Sequence, residues 1–138
     1  MFEHCLYFNT AALARQLERH WAQAFHSFGL TPPQAFMLRA VLDRPGLLQS
    51  ELAAALAIAR PTATRSLDGL AAKGLIQRRA LARDGRESAI HPTATAIALK
   101  SALNIASGAA TARLKKSMGN DEFVAVVGKV RDVRALLD

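Results

Sequence analysis

The sequence predicts a mainly α-helical fold carrying one small β-hairpin, and three observations lead there. About half of its 138 residues are hydrophobic, and much of that half is alanine, a strong helix former that adds little core volume. Apolar residues recur at intervals of three, four or seven over most of the chain, the spacing of one helix face. The exception is a pair of short runs on either side of Asp84-Gly85, a dipeptide that favours a tight hairpin turn.

Taken in order, Leu6, Leu13, Leu17, Trp21, Phe25 and Phe28 mark one face of a first helix, with Arg15, Glu18 and Arg19 largely between them. Gly29 is placed to end it in the left-handed conformation. Thr31-Pro32-Pro33-Gln34 has the pattern of a capping box with proline in the first turn, and opens a second helix through Phe36, Met37, Leu38, Val41 and Leu42. Asp43-Arg44-Pro45-Gly46 breaks that helix. A short helix over Ser50–Leu56 follows, then the turn Ile58-Ala59-Arg60 and a helix from about Pro61 to Lys73, closed by Gly74. Leu75–Leu81 and Glu87–His91 are the two strands. Pro92-Thr93 starts an alanine-rich helix containing Ile97, Leu99, Leu103, Ile105 and Leu114. Gly119-Asn120-Asp121-Glu122 interrupts it with a capping residue and first-turn acids. Phe123, Val126, Val127, Val130, Val133 and Leu137 form one apolar stripe on the last helix. Leu48 and Ala59, which precede the third and fourth helices, lack the usual capping side chain; at Ala59 the loss is about 1 kcal/mol. No internal repeat or second domain boundary is visible.

The formal charge is +7, from 18 basic and 11 acidic residues. Such a balance draws polyanions, whether nucleic acid or an anionic membrane surface. Between Ala59 and His91, Arg60, Arg65, Lys73, Arg78, Arg79, Arg83 and Arg86 stand against only Asp68, Asp84 and Glu87, so over half the net charge lies in about a quarter of the chain. The single cysteine, Cys5, excludes an internal disulfide and suits a reducing compartment. No apolar run approaches the roughly 18 residues of a membrane span, and no signal peptide is recognisable; a cytoplasmic location is expected. The valine-rich stripe of the last helix suits a partner helix better than a membrane surface.

His4, His20, His26 and His91 stand at no spacing typical of a catalytic triad or a zinc-protease helix, and there is no glycine-rich phosphate loop. No enzymatic activity, cofactor or metal is expected, although a zinc site assembled from several helices stays open. The helix pair and the basic hairpin suit a duplex instead. A helix fits the major groove, roughly 12 Å wide, while the narrower minor groove admits an extended arginine.

Three stretches carry a resemblance: Gln49-Ser50-Glu51-Leu52-Ala53, then Arg60 through Ile76 (RPTATRSLDGLAAKGLI), then Arg83-Asp84-Gly85-Arg86. They resemble the MarR family of regulators, with the SlyA branch most similar in the reading helix. The likeness implies a winged helix-turn-helix fold in one domain, 1–138, with 31–92 as the DNA-binding lobe. It further implies that 1–30 and 93–138 supply intertwined dimerisation helices. The expected function is that of a transcriptional regulator, a repressor, which binds an inverted-repeat operator as a homodimer and is released by a small lipophilic or phenolic ligand.

Carried over by position, Arg60, Pro61, Thr62, Thr64 and Arg65 form the exposed start of the reading helix. Arg60 is the candidate for a bidentate pair with guanine, Thr62 and Thr64 for a thymine methyl or a phosphate, and Arg65 for a phosphate. Arg86 is expected in the minor groove, with Asp84 orienting a nearby arginine, and Arg83 is a further DNA-binding candidate of the wing; Gly85 shortens the usual loop. A lone arginine is more often a solvated surface residue, but this group at these spacings beside a hairpin is not. Cys5-Leu6-Tyr7-Phe8 also faintly resembles the start of a peroxide-sensing branch of the family, so a redox role for Cys5 stands beside its reading as a small apolar residue at a dimer seam. The other alternative is a winged-helix protein-interaction module that does not bind DNA.

Overall fold

The computed structural model describes residues 1–81 and 87–138. The expected hairpin tip, with Arg83, Asp84, Gly85 and Arg86, lies outside the described residues. The elements are α1 (Leu6–Phe25), a 3-10 turn (His26–Phe28), α2 (Pro32–Asp43), α3 (Gln49–Ala55), α4 (Arg60–Ala72), β1 (Ile76–Ala80), β2 (Ser88–Pro92), α5 (Ala94–Met118) and α6 (Asn120–Leu137).

Local chemistry explains most of these boundaries. Gly29 closes the 3-10 turn at φ +68°. At the start of α2, Thr31 Oγ1 accepts the Gln34 N–H at 3.3 Å while Gln34 Oε1 accepts the Thr31 N–H at 3.1 Å, the expected capping box. Replacing Thr31 with alanine is therefore expected to lower stability by about 1 kcal/mol, read as a lower urea midpoint with an unchanged slope. At Leu48 half of such a box survives without a polar cap, because Glu51 Oε1 accepts the Leu48 N–H at 3.0 Å. Ala59 caps α4 with no side-chain hydrogen bond. The last break differs from expectation. Gly119, at φ +91°, separates α5 from α6, and Asn120 is already inside the helix.

α3 and α4 end alike. After α4, Gly74 at φ +71° lets its N–H reach the Ala71 carbonyl and the Leu75 N–H reach that of Leu70. After α3 the same pair of bonds runs from Ala57 to Ala54 and from Ile58 to Ala53, with Ala57 held at φ +54°. Both are Schellman endings. The second occupies a left-handed position with alanine, at a local penalty of about 1 kcal/mol, and sets the tight turn between the two helices.

β1 and β2 pair antiparallel, with Arg78 opposite Ile90, and an isolated bridge from Leu48 to Ala89 adds the segment before α3 to the hairpin. The core lies where α2, α3, α4, the base of the hairpin and α5 meet. Phe25, Met37, Leu38, Val41, Leu52, Leu67, Leu70, Ile90 and Leu103 are fully buried there. Gly69 permits the close approach of α4 to α2, since a Cβ there would lie 2.5 Å from Gln34 Nε2. The apolar face of α1 is buried progressively: Phe25 is fully enclosed, Leu17 and Trp21 are half-buried, and Leu6 is 64% exposed. No residue of α6 is buried in the protomer.

Candidate nucleic-acid interface

The burial pattern of α4 divides its residues. Ala63, Ser66, Leu67 and Leu70 are buried, whereas Arg60, Pro61, Thr64, Arg65 and Asp68 are exposed. At 100° per residue these sets occupy opposite sides of one helix. Four of the five expected reading residues thus share the outward face. Thr62 does not: it is half-buried and lines a groove between α4 and α1. Its position in the helical period turns it toward α1, a difference from the expected five-residue surface.

The outward face is held by its neighbours. Gln49 Nε2 on α3 donates to Thr64 Oγ1 at 2.7 Å, and that hydroxyl donates to the Arg60 carbonyl at 3.1 Å. Thr64 therefore ties the two helices of the pair together through its hydroxyl while the residue stays exposed. Arg78 on β1 donates through Nη2 to Asp68 Oδ1 at 2.7 Å, tying the hairpin to α4. Ser50 on α3 donates to Glu87 Oε1 at 2.7 Å at the start of β2. Lys73 Nζ bonds the Gly29 carbonyl and Gln34 Oε1, joining the end of α4 to the start of α2. Arg60 and Arg65 take part in neither of the two ion pairs among the described residues. Their charge is available to an anion, while that of Arg78 is already committed.

A second constellation lies where α1, α2 and α5 meet. Buried Ser107 Oγ accepts from Trp21 Nε1 at 3.2 Å and from Arg39 Nη1 at 2.9 Å, while Arg39 Nε donates to Asn104 Oδ1 at 2.9 Å. The Arg39 guanidinium also stands 5.0 Å from the centre of the Phe36 ring. Burial lowers its pKa from the ordinary arginine value. Beside this network, α1, α2, the end of α3 and the start of α4 enclose an apolar groove of about 550 Å³, lined among others by Glu18, Trp21, Phe36, Leu56, Ile58 and Thr62. A smaller groove of about 350 Å³, between α1 and α5, includes His20, Trp21, Arg113 and Ser117. The family resemblance implies a ligand crevice between the dimerisation helices and the DNA-binding lobe, where the larger groove lies, but sequence reasoning named none of its lining residues and did not foresee the smaller groove, because their walls come from separate helices.

Cys5 is exposed at the start of α1, where its Sγ accepts the Phe8 N–H at 3.5 Å. Among the described residues no three His, Cys, Asp or Glu side chains gather as metal ligands, and no helix is long and apolar enough to cross a membrane.

A helix with a buried back and an exposed basic front, set behind a second helix and flanked by a hairpin, defines a winged helix-turn-helix protein. Solved structures share the whole arrangement. The DNA complex of S. aureus MepR superposes with a TM-score of 0.84 at 22% identity, covering 96% of this chain and 98% of that one. The transcriptional repressor CouR, bound to a 23-mer duplex, gives 0.86 at 22% identity over 96% and 94%. The regulator SlyA gives 0.83 at 20% identity, also over 96% and 94%. A search of curated protein sequences gives no match. Residues 28–87 match the MarR family model. That match runs from α2 through β1, and nearly the whole chain shares the winged helix-turn-helix fold of these structures.

Proposed function

We propose that the chain is a repressor that binds an inverted-repeat operator as a homodimer and leaves it when a small lipophilic ligand occupies the groove between α1 and α4. The outward face of α4 carries the reading: Arg60, Pro61, Thr64 and Arg65 are presented together, with both arginines outside the ion pairs of the described residues. In this reading Arg60 pairs with a guanine edge, Arg65 holds a phosphate, and Arg86 with Asp84 and Arg83 forms the wing contact.

Two features support dimerisation. Leu6, Tyr7, Phe8 and Leu13 on α1 are exposed, as are Val126, Val127, Val130 and Leu137 on α6. Apolar surface of this extent at the chain's two ends suits a second copy, with residues 1–30 and 93–138 as the dimerisation part and 31–92 as the reading lobe. Two-fold symmetry then sets the reading helices roughly 34 Å apart, in successive major grooves. The groove supports ligand control, because it joins the dimerisation helix α1 to the reading helix α4 at Thr62. A ligand that prefers one separation of these parts shifts the population between operator-competent and incompetent forms.

The test is equilibrium binding to operator and to random duplex at several salt concentrations. Arg60→Ala is expected to weaken operator binding by about 1–3 kcal/mol and to relax preference at one base pair. Arg65→Ala is expected to weaken both duplexes alike and to reduce the salt slope by about one. If neither variant changes affinity or slope, α4 is not the reading element; a wild type without any salt-dependent DNA binding would instead be an interaction module.

A further inference from the structure

We infer that the groove between α1 and α4 selects lipophilic cations, with Glu18 as the residue that sets the sign of charge; this rests on the reading of that groove as a ligand site. Its walls are apolar and aromatic, from Trp21 and Phe36 on one side to Leu56 and Ile58 on the other. An apolar body of moderate size gains burial there. Among the described residues that line the groove, Glu18 is the only titratable one, and it belongs to neither ion pair of the described residues. An anionic ligand in this groove would set its charge near a carboxylate and find no cation among the described lining residues. Arg39 lies against Phe36, which lines the groove, but it is turned to Asn104 and Ser107 and does not itself line the groove. A cation meets a carboxylate and two aromatic side chains, Trp21 and Phe36, a lining that suits a diffuse positive charge.

The phenolic anion implied by family resemblance therefore fits this groove poorly. The charge sign that would suit it is found in the smaller groove between α1 and α5, where His20 and Arg113 are the titratable lining residues. Trp21 lines both grooves and is the only tryptophan of the chain. Its fluorescence thus reports occupancy of either, and substitutions at Glu18 and Arg113 tell the two apart.

Tetraphenylphosphonium and tetraphenylborate, alike in size and shape and opposite in charge, are the probes. Titrated into the full-length protein and followed by Trp21 emission, the phosphonium is expected to bind saturably. Glu18→Gln is expected to weaken it about fivefold, the loss of one partly exposed ion pair, while Arg113→Gln leaves its affinity unchanged. Glu18→Lys is expected to invert the preference between the two ions at this groove. Circular dichroism establishes that each variant is folded. The inference is overturned, with the groove kept as a ligand site, if the phosphonium binds saturably and Glu18→Gln binds it as well as the wild type does. It is also overturned if the borate binds more tightly than the phosphonium and that preference survives Arg113→Gln. If neither ion perturbs Trp21, the groove is not a ligand site for molecules of this kind, and both readings fail together.

Discussion

A double substitution of Val127 and Val130 by glutamate is expected to leave each protomer folded, to abolish dimerisation and to lower operator affinity at least about a thousandfold, the lower end of the gap between specific and non-specific binding. The two valines are 41% and 46% exposed and lie one turn apart on the stripe of α6. No residue of α6 is buried in the protomer, so charges there disturb little of the core. In a dimer those same side chains would face the partner's apolar surface, where two unpaired carboxylates per copy are strongly unfavourable. A single reading helix then contacts one half-site and loses the second, tethered contact. Sedimentation at several protein concentrations reads the mass, and fluorescence anisotropy with labelled operator reads the affinity. A monomer that retains operator affinity would refute the two-fold reading; a dimer that survives the substitutions would place the interface elsewhere.

The second large effect is expected from Leu67→Ala. Leu67 is fully buried on the inner side of α4, one turn from Ala63 and beside Leu70. Truncating a leucine in such a position removes transfer free energy and leaves a cavity, together about 3 kcal/mol, a large share of the roughly 5–15 kcal/mol that holds a domain folded. At fixed protein concentration the melting temperature should fall by about 10 °C. Arg65→Ala, two positions earlier on the outer side of the same helix, should change stability by less than about 0.5 kcal/mol. Calorimetry on the two variants thus separates the inner face, which holds α4 in place, from the outer face, which is proposed to meet DNA. Equal losses would show that Arg65 serves the fold.

Sequence reasoning located the helices and the hairpin because their signals are local. The Thr31 capping box and the glycines at 29, 74 and 119 act within a few residues of themselves, and the three- and four-residue spacing of leucines and valines follows from helix geometry alone. The turn after α3 was less legible, since it uses Ala57 in a conformation that normally announces itself with glycine. The division of α4 into faces could have been worked out from the period, yet the resemblance grouped Thr62 with its neighbours and the structure turns it away.

What the sequence determined by itself was the series of elements and the concentration of positive charge between Ala59 and His91; the candidate reading residues from Arg60 to Arg65 came with the family resemblance. The tertiary structure decided what those residues are free to do. Arg78 is paired with Asp68, Thr64 joins α3 to α4, and Arg60 and Arg65 are left outside the ion pairs of the described residues. It also brought Glu18, Trp21, Phe36 and Thr62 around one groove. Local preferences act between residues a few positions apart and can be read along the chain. Which distant side chains meet depends on how several helices pack at once, and no single segment encodes that.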